Sequence, residues 1–157
     1  MTHGRLQNKV AFITGAGTGI GAATAIRFAQ EGATVVICGR RAEPLNEVVQ
    51  KIKQAGGQAE AVQLDVSQEA AFCAALEDVV KRHGKLDILV NNAMAYSWGA
   101  LESTSTADWH SNFSTSVDGT FWGTREAMKW MKPHGGSIIN LSSICGVLGT
   151  AWMAGYS

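Results

Sequence analysis

Five residues with the composition of a buried strand, Val10 to Thr14 (VAFIT), run straight into Gly15-Ala16-Gly17-Thr18-Gly19-Ile20-Gly21, and a helical pattern takes over from Gly19 to Gln30. No other stretch constrains the chain as strongly. A turn this rich in glycine lets the backbone approach a ligand without Cβ atoms in the way. The helix that follows offers free N–H groups and the positive end of its dipole, and a pyrophosphate uses both features. Glycine clusters also mark tight turns that bind nothing. The strand before and the helix after are what favour dinucleotide binding here.

The rest of the chain repeats the alternation. Strands are expected at Thr34 to Cys38, Ala59 to Leu64, Leu86 to Val90 and Ser137 to Leu141. Helices are expected at Glu43 to Ala55, at Ser67 to His83 with Ser67 as N-cap, and from Thr106 or Asp108 to Met131 with an interruption near Asp118-Gly119. Ile20, Ala23, Ile26 and Phe28 supply an apolar stripe on the first helix, and Phe72, Leu76, Val79 and Val80 face inward on the third. Met94 to Ser105 reads as a loop. Strands alternating with helices of this length define βαβ units, and right-handed crossovers then give an α/β fold with a doubly wound parallel sheet and helices on both faces. No repeat, low-complexity tract or linker interrupts the pattern, so residues 1–157 are expected to form one domain.

Composition narrows the partners. Thirteen basic and thirteen acidic residues give a formal charge of zero, which argues against nucleic acid as a partner. The three cysteines, Cys38, Cys73 and Cys145, are odd in number and widely spaced, which fits a reducing compartment better than a disulfide framework. The first nine residues are polar and no apolar run reaches membrane-spanning length, so a cytoplasmic, membrane-free location is expected. His3, His83, His110 and His134 are scattered, and no metal site is expected. Five tryptophans without a basic surface read as core or pocket residues. Trp98 and Trp152 are the expected apolar wall of a substrate site.

The end of the second strand should meet the adenosine ribose. An acid there would bond a 2′-hydroxyl, whereas arginine suits a 2′-phosphate. This chain has Gly39-Arg40-Arg41, so NADP is preferred and NAD is the alternative. Thr18 in the glycine turn adds no charge to that preference.

Further segments fall at matching strand ends: Asp65-Val66 after the third, Asn91-Asn92-Ala93 after the fourth, and Ser142-Ser143 after the fifth. Tyr156 lies thirteen residues past Ser143. With T-G-x-x-x-G-I-G at the start, this order resembles the short-chain dehydrogenase/reductase family from Lys9 to Ser157. The resemblance implies a Rossmann-type domain, and hydride transfer between a nicotinamide cofactor and a secondary alcohol or ketone. Gly15, Gly19, Ile20 and Gly21 would face the pyrophosphate. Asp65 would bond the adenine with Val66 beside the ring, and Asn92 and Ala93 would line the channel to the nicotinamide ribose. Ser143 would hold the substrate oxygen and Tyr156 would be the acid/base. A homo-oligomer, built partly on the helix from Trp109 to Met131, is also implied.

Three departures qualify the match. Met94 stands where the family usually has glycine after Asn-Asn-Ala. Ser116 stands where it usually has a catalytic asparagine; Asn112, one helical turn earlier, is assigned no role. The family lysine four residues past the tyrosine would be at position 160, whereas the sequence ends at Ser157. An ordinary tyrosine titrates near pH ~10, and a neighbouring ammonium would lower that value. The 157 residues are therefore expected to be a truncated domain, ending after the fifth strand, with weak or no turnover. A cofactor-binding module without catalysis is the alternative to an enzyme.

Overall fold

The structure, a computed structural model, describes residues 4–157. Its centre is one parallel sheet of β1 (Val10–Thr14), β2 (Thr34–Gly39), β3 (Gln58–Gln63), β4 (Ile88–Asn91) and β5 (Ser137–Asn140), in the spatial order β3-β2-β1-β4-β5. The helices are α1 (Gly19–Gln30), α2 (Ala42–Gln54), α3 (Glu69–His83), α4 (Thr106–Phe113) and α5 (Gly119–Met131). The chain steps outward from β1 to β3, then crosses back to lay β4 on the other side of β1. This is the doubly wound, Rossmann-type arrangement. It opens a crevice beyond the carboxyl ends of β1 and β4, where the winding direction reverses.

Side-chain alternation along the strands builds two cores. Ala11, Ile13, Val35 and Ile37 pack on Ala25, Ala29, Leu45, Val48 and Ile52 of α1 and α2. Phe12, Val36, Cys38 and Leu89 point the other way, onto Phe72, Leu76 and Val79 of α3 and Ala127 and Met131 of α5. Burial on both faces is why β1, β2 and β4 read as unbroken apolar runs. Cutting away a ring such as Phe72, which is fully buried and lies 6.1 Å from Phe12, would cost about 3–5 kcal/mol.

Several local expectations are corrected. The inward face of α1 is Gly21, Ala25 and Ala29, with Ala22, Ile26 and Phe28 half-buried, whereas Ile20 is 66% exposed and Ala23 is also exposed. Close approach sets this phase: a Cβ at Gly21 would stand 2.6 Å from Asn92 Nδ2 and 2.7 Å from the Gly15 carbonyl oxygen. Ser67 does not cap α3, which begins at Glu69 after Gln68. Instead its N–H and hydroxyl donate to Asp65 Oδ1 at 3.0 and 2.8 Å. The expected break in the long helix is real and falls at Ser114–Asp118, where one wide π-helical turn separates α4 from α5. Such turns re-aim side chains within a helix. Upstream, Ser105 caps α4, its Oγ accepting from Asp108 N at 3.0 Å. No described helix is long and apolar enough to cross a membrane.

Candidate active site

The last residue of β1 organises the crevice. Thr14 is 2% exposed, and its Oγ1 accepts from the N–H groups of Asn92 and Ala93 at 3.0 and 2.9 Å while donating to the Val90 carbonyl at 3.4 Å. In return Asn92 Nδ2 donates to the carbonyls of Thr14 and Gly15 at 2.9 and 3.2 Å. One hydroxyl and one amide thus tie the glycine turn to the end of β4. Gly15 needs to be glycine twice over: its φ is +64°, and a Cβ there would stand 2.8 Å from Ala93 Cα. Gly19 has φ +57° with open space where its Cβ would be, so the N-terminus of α1 faces an unobstructed gap.

That gap belongs to a cleft of about 510 Å³. Gly15, Thr18, Ile20, Arg40, Arg41, Asp65, Val66, Asn92 and Ala93 line it, which is most of the cofactor set expected from the sequence; Thr115 and Met94 join them. Gly19 and Gly21 sit beside it as the first turn of α1. Thr14, buried beneath, is assigned no role from the sequence, although it opens the T-G-x-x-x-G-I-G motif. Asn92 lines the cleft, and its amide also holds the turn. At the far end Arg40 and Arg41 are exposed, and among the described residues neither guanidinium has an ion-pair partner. Asp65 keeps Oδ2 without a hydrogen bond among the described residues, Oδ1 being held by Ser67. Val66 is buried beside Gly119. An open helix N-terminus, a cradle that Cβ atoms would fill, a free carboxylate oxygen and two guanidiniums without ion-pair partners among the described residues fit a nicotinamide dinucleotide.

A second cleft, about 470 Å³, holds both Ser143 and Tyr156 and meets the first at Ala93 and Met94. Ser143 caps a single 3-10 turn, Ile144–Gly146, with Oγ accepting from Cys145 N at 3.2 Å. The Tyr156 ring lies 6.2 Å from that of Tyr96. No hydrogen bond joins Ser143 to Tyr156 among the described residues. Met94 is 43% exposed at the junction of the clefts. Ser116 hydrogen-bonds both ways with Ala95: Oγ accepts from its N–H at 3.2 Å and donates to its carbonyl at 3.3 Å. Trp98 and Trp152 are not the wall; they are exposed outside it, and Trp109 and Phe113 of α4 line the cleft instead. Apart from Tyr156, its lining has no ionisable side chain among the described residues. Beside it, the Thr150 hydroxyl, donating to Cys145 Sγ at 3.2 Å, holds that thiol below its ordinary pKa, whereas burial pushes Cys38 up to about 12.

Comparison with known proteins agrees with this geometry. The short chain dehydrogenase family matches residues 9–157, and the chain belongs to that family. It is 40% identical over 154 residues to a 3beta-hydroxysteroid dehydrogenase of Mediterraneibacter gnavus, covering 98% of this chain and 56% of that protein. A cyclopentanol dehydrogenase of Comamonas testosteroni is 35% identical over 154 residues, 98% of this chain and 62% of the relative. Among solved structures, an NAD+-bound xylitol dehydrogenase superposes with a TM-score of 0.92 at 30% identity, covering 97% of this chain and 59% of its own. A short chain dehydrogenase from Mycobacterium smegmatis gives 0.92 at 34%, with coverages of 98% and 66%. The chain therefore spans about three-fifths of the length of these relatives.

Proposed function

We propose that the protein transfers hydride between a nicotinamide dinucleotide, NADP(H) in preference to NAD(H), and a secondary alcohol or ketone without charged groups. The observation that carries this reading is the meeting of the two clefts at Ala93 and Met94, which sets a phosphate-cradling turn on one side and two hydroxyl groups on the other. When bound, the nicotinamide supplies or accepts the hydride.

The chain's own residues do the rest. The N-terminus of α1 receives the pyrophosphate over Gly19, with Gly15 and Gly21 keeping the backbone close and Ile20 and Thr18 at the rim. Asp65 Oδ2 accepts from the adenine amino group, Val66 packs against the ring, and Asn92 and Ala93 form the floor toward the reacting end. Arg40 and Arg41 pair with a 2′-phosphate. The xylitol dehydrogenase that superposes on this chain is named for NAD+; the strand end carrying Arg40 and Arg41 is where the two cofactors differ chemically.

In the second cleft, negative charge develops on the carbonyl oxygen as the carbonyl carbon accepts hydride and the C=O π bond breaks onto oxygen. Ser143 Oγ already accepts from Cys145 N, so its hydroxyl enters the cleft as a donor to that oxygen. Tyr156 gives the proton in reduction and takes it in oxidation, help of about two to four decades in rate. Met94, Trp109 and Phe113 offer apolar surface with no charge to pair with a carboxylate or phosphate. Relatives named for a hydroxysteroid and for cyclopentanol point the same way, toward alicyclic alcohols.

Calorimetric titration with both cofactors, on wild type and Arg40→Ala, tests the preference. A charge-assisted contact of this kind contributes about 1.5–3 kcal/mol, so Arg40→Ala should lose about one to two decades in affinity for NADP and little for NAD. Equal wild-type affinity for both would overturn it.

A further inference from the structure

A buried amide stands in the wall of the second cleft without any part in the reaction as derived above. Asn112 is 3% exposed and is the one buried residue of α4. A leucine could fill such a place at no polar cost, whereas an amide removed from water needs partners. Its Nδ2 donates to Ser97 Oγ at 3.1 Å, and its Oδ1 accepts no hydrogen bond among the described residues. The amide also sits against the residue next to the tyrosine. A Cβ at Gly155 would lie 2.4 Å from Asn112 Nδ2 and 3.9 Å from Ser97 Oγ. Gly155 is therefore seated directly on the Asn112–Ser97 pair.

The segment after β4 shows why that seat is well defined. It alternates: Met94, Tyr96 and Trp98 are exposed, while Ala95, Ser97 and Gly99 are half-buried. Each half-buried residue is tied down. Ala95 is held at both backbone groups by Ser116, Ser97 by Asn112, and Gly99 by its N–H donating to the Trp152 carbonyl at 2.8 Å, where it pairs with Met153 in an isolated parallel bridge. On the other side of the same strand-like run, Tyr96 meets the ring of Tyr156. Tyr156 itself has its N–H bonded to the Met153 carbonyl at 2.9 Å.

We propose that Asn112 is a positioning residue: through Ser97 and the backbone of Gly155 it clamps the residue-95-to-99 run against the segment carrying Tyr156, and so fixes the phenol in the cleft. Ser116 cannot take this part, because its hydroxyl is engaged with Ala95, one turn of helix farther along. The kinetic consequence rests on the hydride-transfer reading above; the conformational one does not.

The test uses the protein at the full length its gene encodes, with Ser97→Ala, Ser97→Thr and Asn112→Leu. Hydrogen exchange is followed at the amides of Gly99 and Tyr156, with the sheet amides of Ile13, Val36 and Leu89 as the folding control. Loss of one hydrogen bond should speed exchange at Gly99 and Tyr156 about tenfold in Ser97→Ala and Asn112→Leu, leave the sheet unchanged, and be rescued by the hydroxyl of Ser97→Thr. Turnover with a panel of secondary alcohols should then fall roughly ten- to a hundredfold in kcat, while the dissociation constant of the cofactor stays the same. If Asn112→Leu does not fold, Ser97→Ala decides, since its partner loop lies outside both cores. Wild-type exchange at Gly99 and Tyr156 in a folded Ser97→Ala variant would overturn the clamp. Faster exchange with undiminished kcat would overturn its role in positioning. A wild-type protein that turns over nothing would count against the hydride-transfer reading, and the exchange data would still decide the clamp.

Discussion

Thr14→Val is the perturbation whose consequences the structure specifies most fully. The two side chains have nearly the same shape, so the change removes one hydroxyl and little else. Two N–H groups, those of Asn92 and Ala93, then lose their acceptor at a position where Thr14 is 2% exposed. Each orphaned buried donor costs about 1–3 kcal/mol. The methyl that replaces the hydroxyl returns at most about 0.8 kcal/mol of burial. The net expectation is a loss of about 1–5 kcal/mol, or a fall in Tm of roughly 2–20 °C for a chain of this size. Urea unfolding followed by circular dichroism measures it: the midpoint should drop with the slope unchanged. Thr14→Ser keeps the acceptor and should recover most of the loss. A Thr14→Val variant within about 0.5 kcal/mol of wild type, or a Thr14→Ser variant equally damaged, would refute the claim that this hydroxyl holds the glycine turn to β4.

Gly21→Ala drives a methyl to within 2.6 Å of Asn92 Nδ2 and 2.7 Å of a backbone oxygen, so it should cost about 1–3 kcal/mol in denaturant unfolding; Gly19→Ala meets no atom, but its φ of +57° should cost about 1–2 kcal/mol in the same unfolding, and it should also weaken cofactor binding by calorimetry. Asp87 supplies an acid-sensitive contact between β1 and β4. Burial alone would raise its pKa, but the Val10 N–H at 2.9 Å and the ammonium groups of Lys85 and Lys9 outweigh it and hold the carboxyl below its ordinary value. The folded chain thus binds this proton less readily than the unfolded one. Its stabilisation is full above the unfolded value of about 3.9 and is lost as pH falls through the lower folded value. Urea midpoints measured down that acid range should decline in wild type and flatten in Asp87→Asn.

The strands were legible because parallel strands buried on both faces must be apolar throughout, and the crevice was legible because Gly15 to Gly21 can serve few other purposes between a strand and a helix. Residues at strand ends were legible for the same reason: Asp65, Asn92 and Ser143 follow their strands directly, so finding the strand places the residue. What the sequence left hidden depends on partners far along the chain. Ile20 looks like part of a buried stripe, yet it points outward because Gly21 has to press on Asn92, seventy-one residues away. Ser67 has the chemistry of a helix cap but is captured by Asp65 two residues earlier. Trp98 and Trp152 lie outside the named strands and helices. Their outward placement follows from ties at Ser97 and Gly99 that no local pattern encodes. Asn112 reads as an ordinary polar position on a short helix until Ser97 and Gly155 are seen against it.

The central claim is that Tyr156 performs the proton transfer in a cleft continuous with the dinucleotide site. Tyr156→Phe removes a single oxygen from that cleft. The direct measurement is NADPH oxidation with alicyclic ketones, followed by the absorbance of the reduced nicotinamide, on the full-length protein with and without this substitution, alongside NADPH affinity by calorimetry. The expected result is turnover in wild type, a fall of about two to four decades in kcat for Tyr156→Phe, and cofactor affinity within about twofold. Undiminished turnover by a folded Tyr156→Phe protein, with its cofactor affinity intact, would contradict the account.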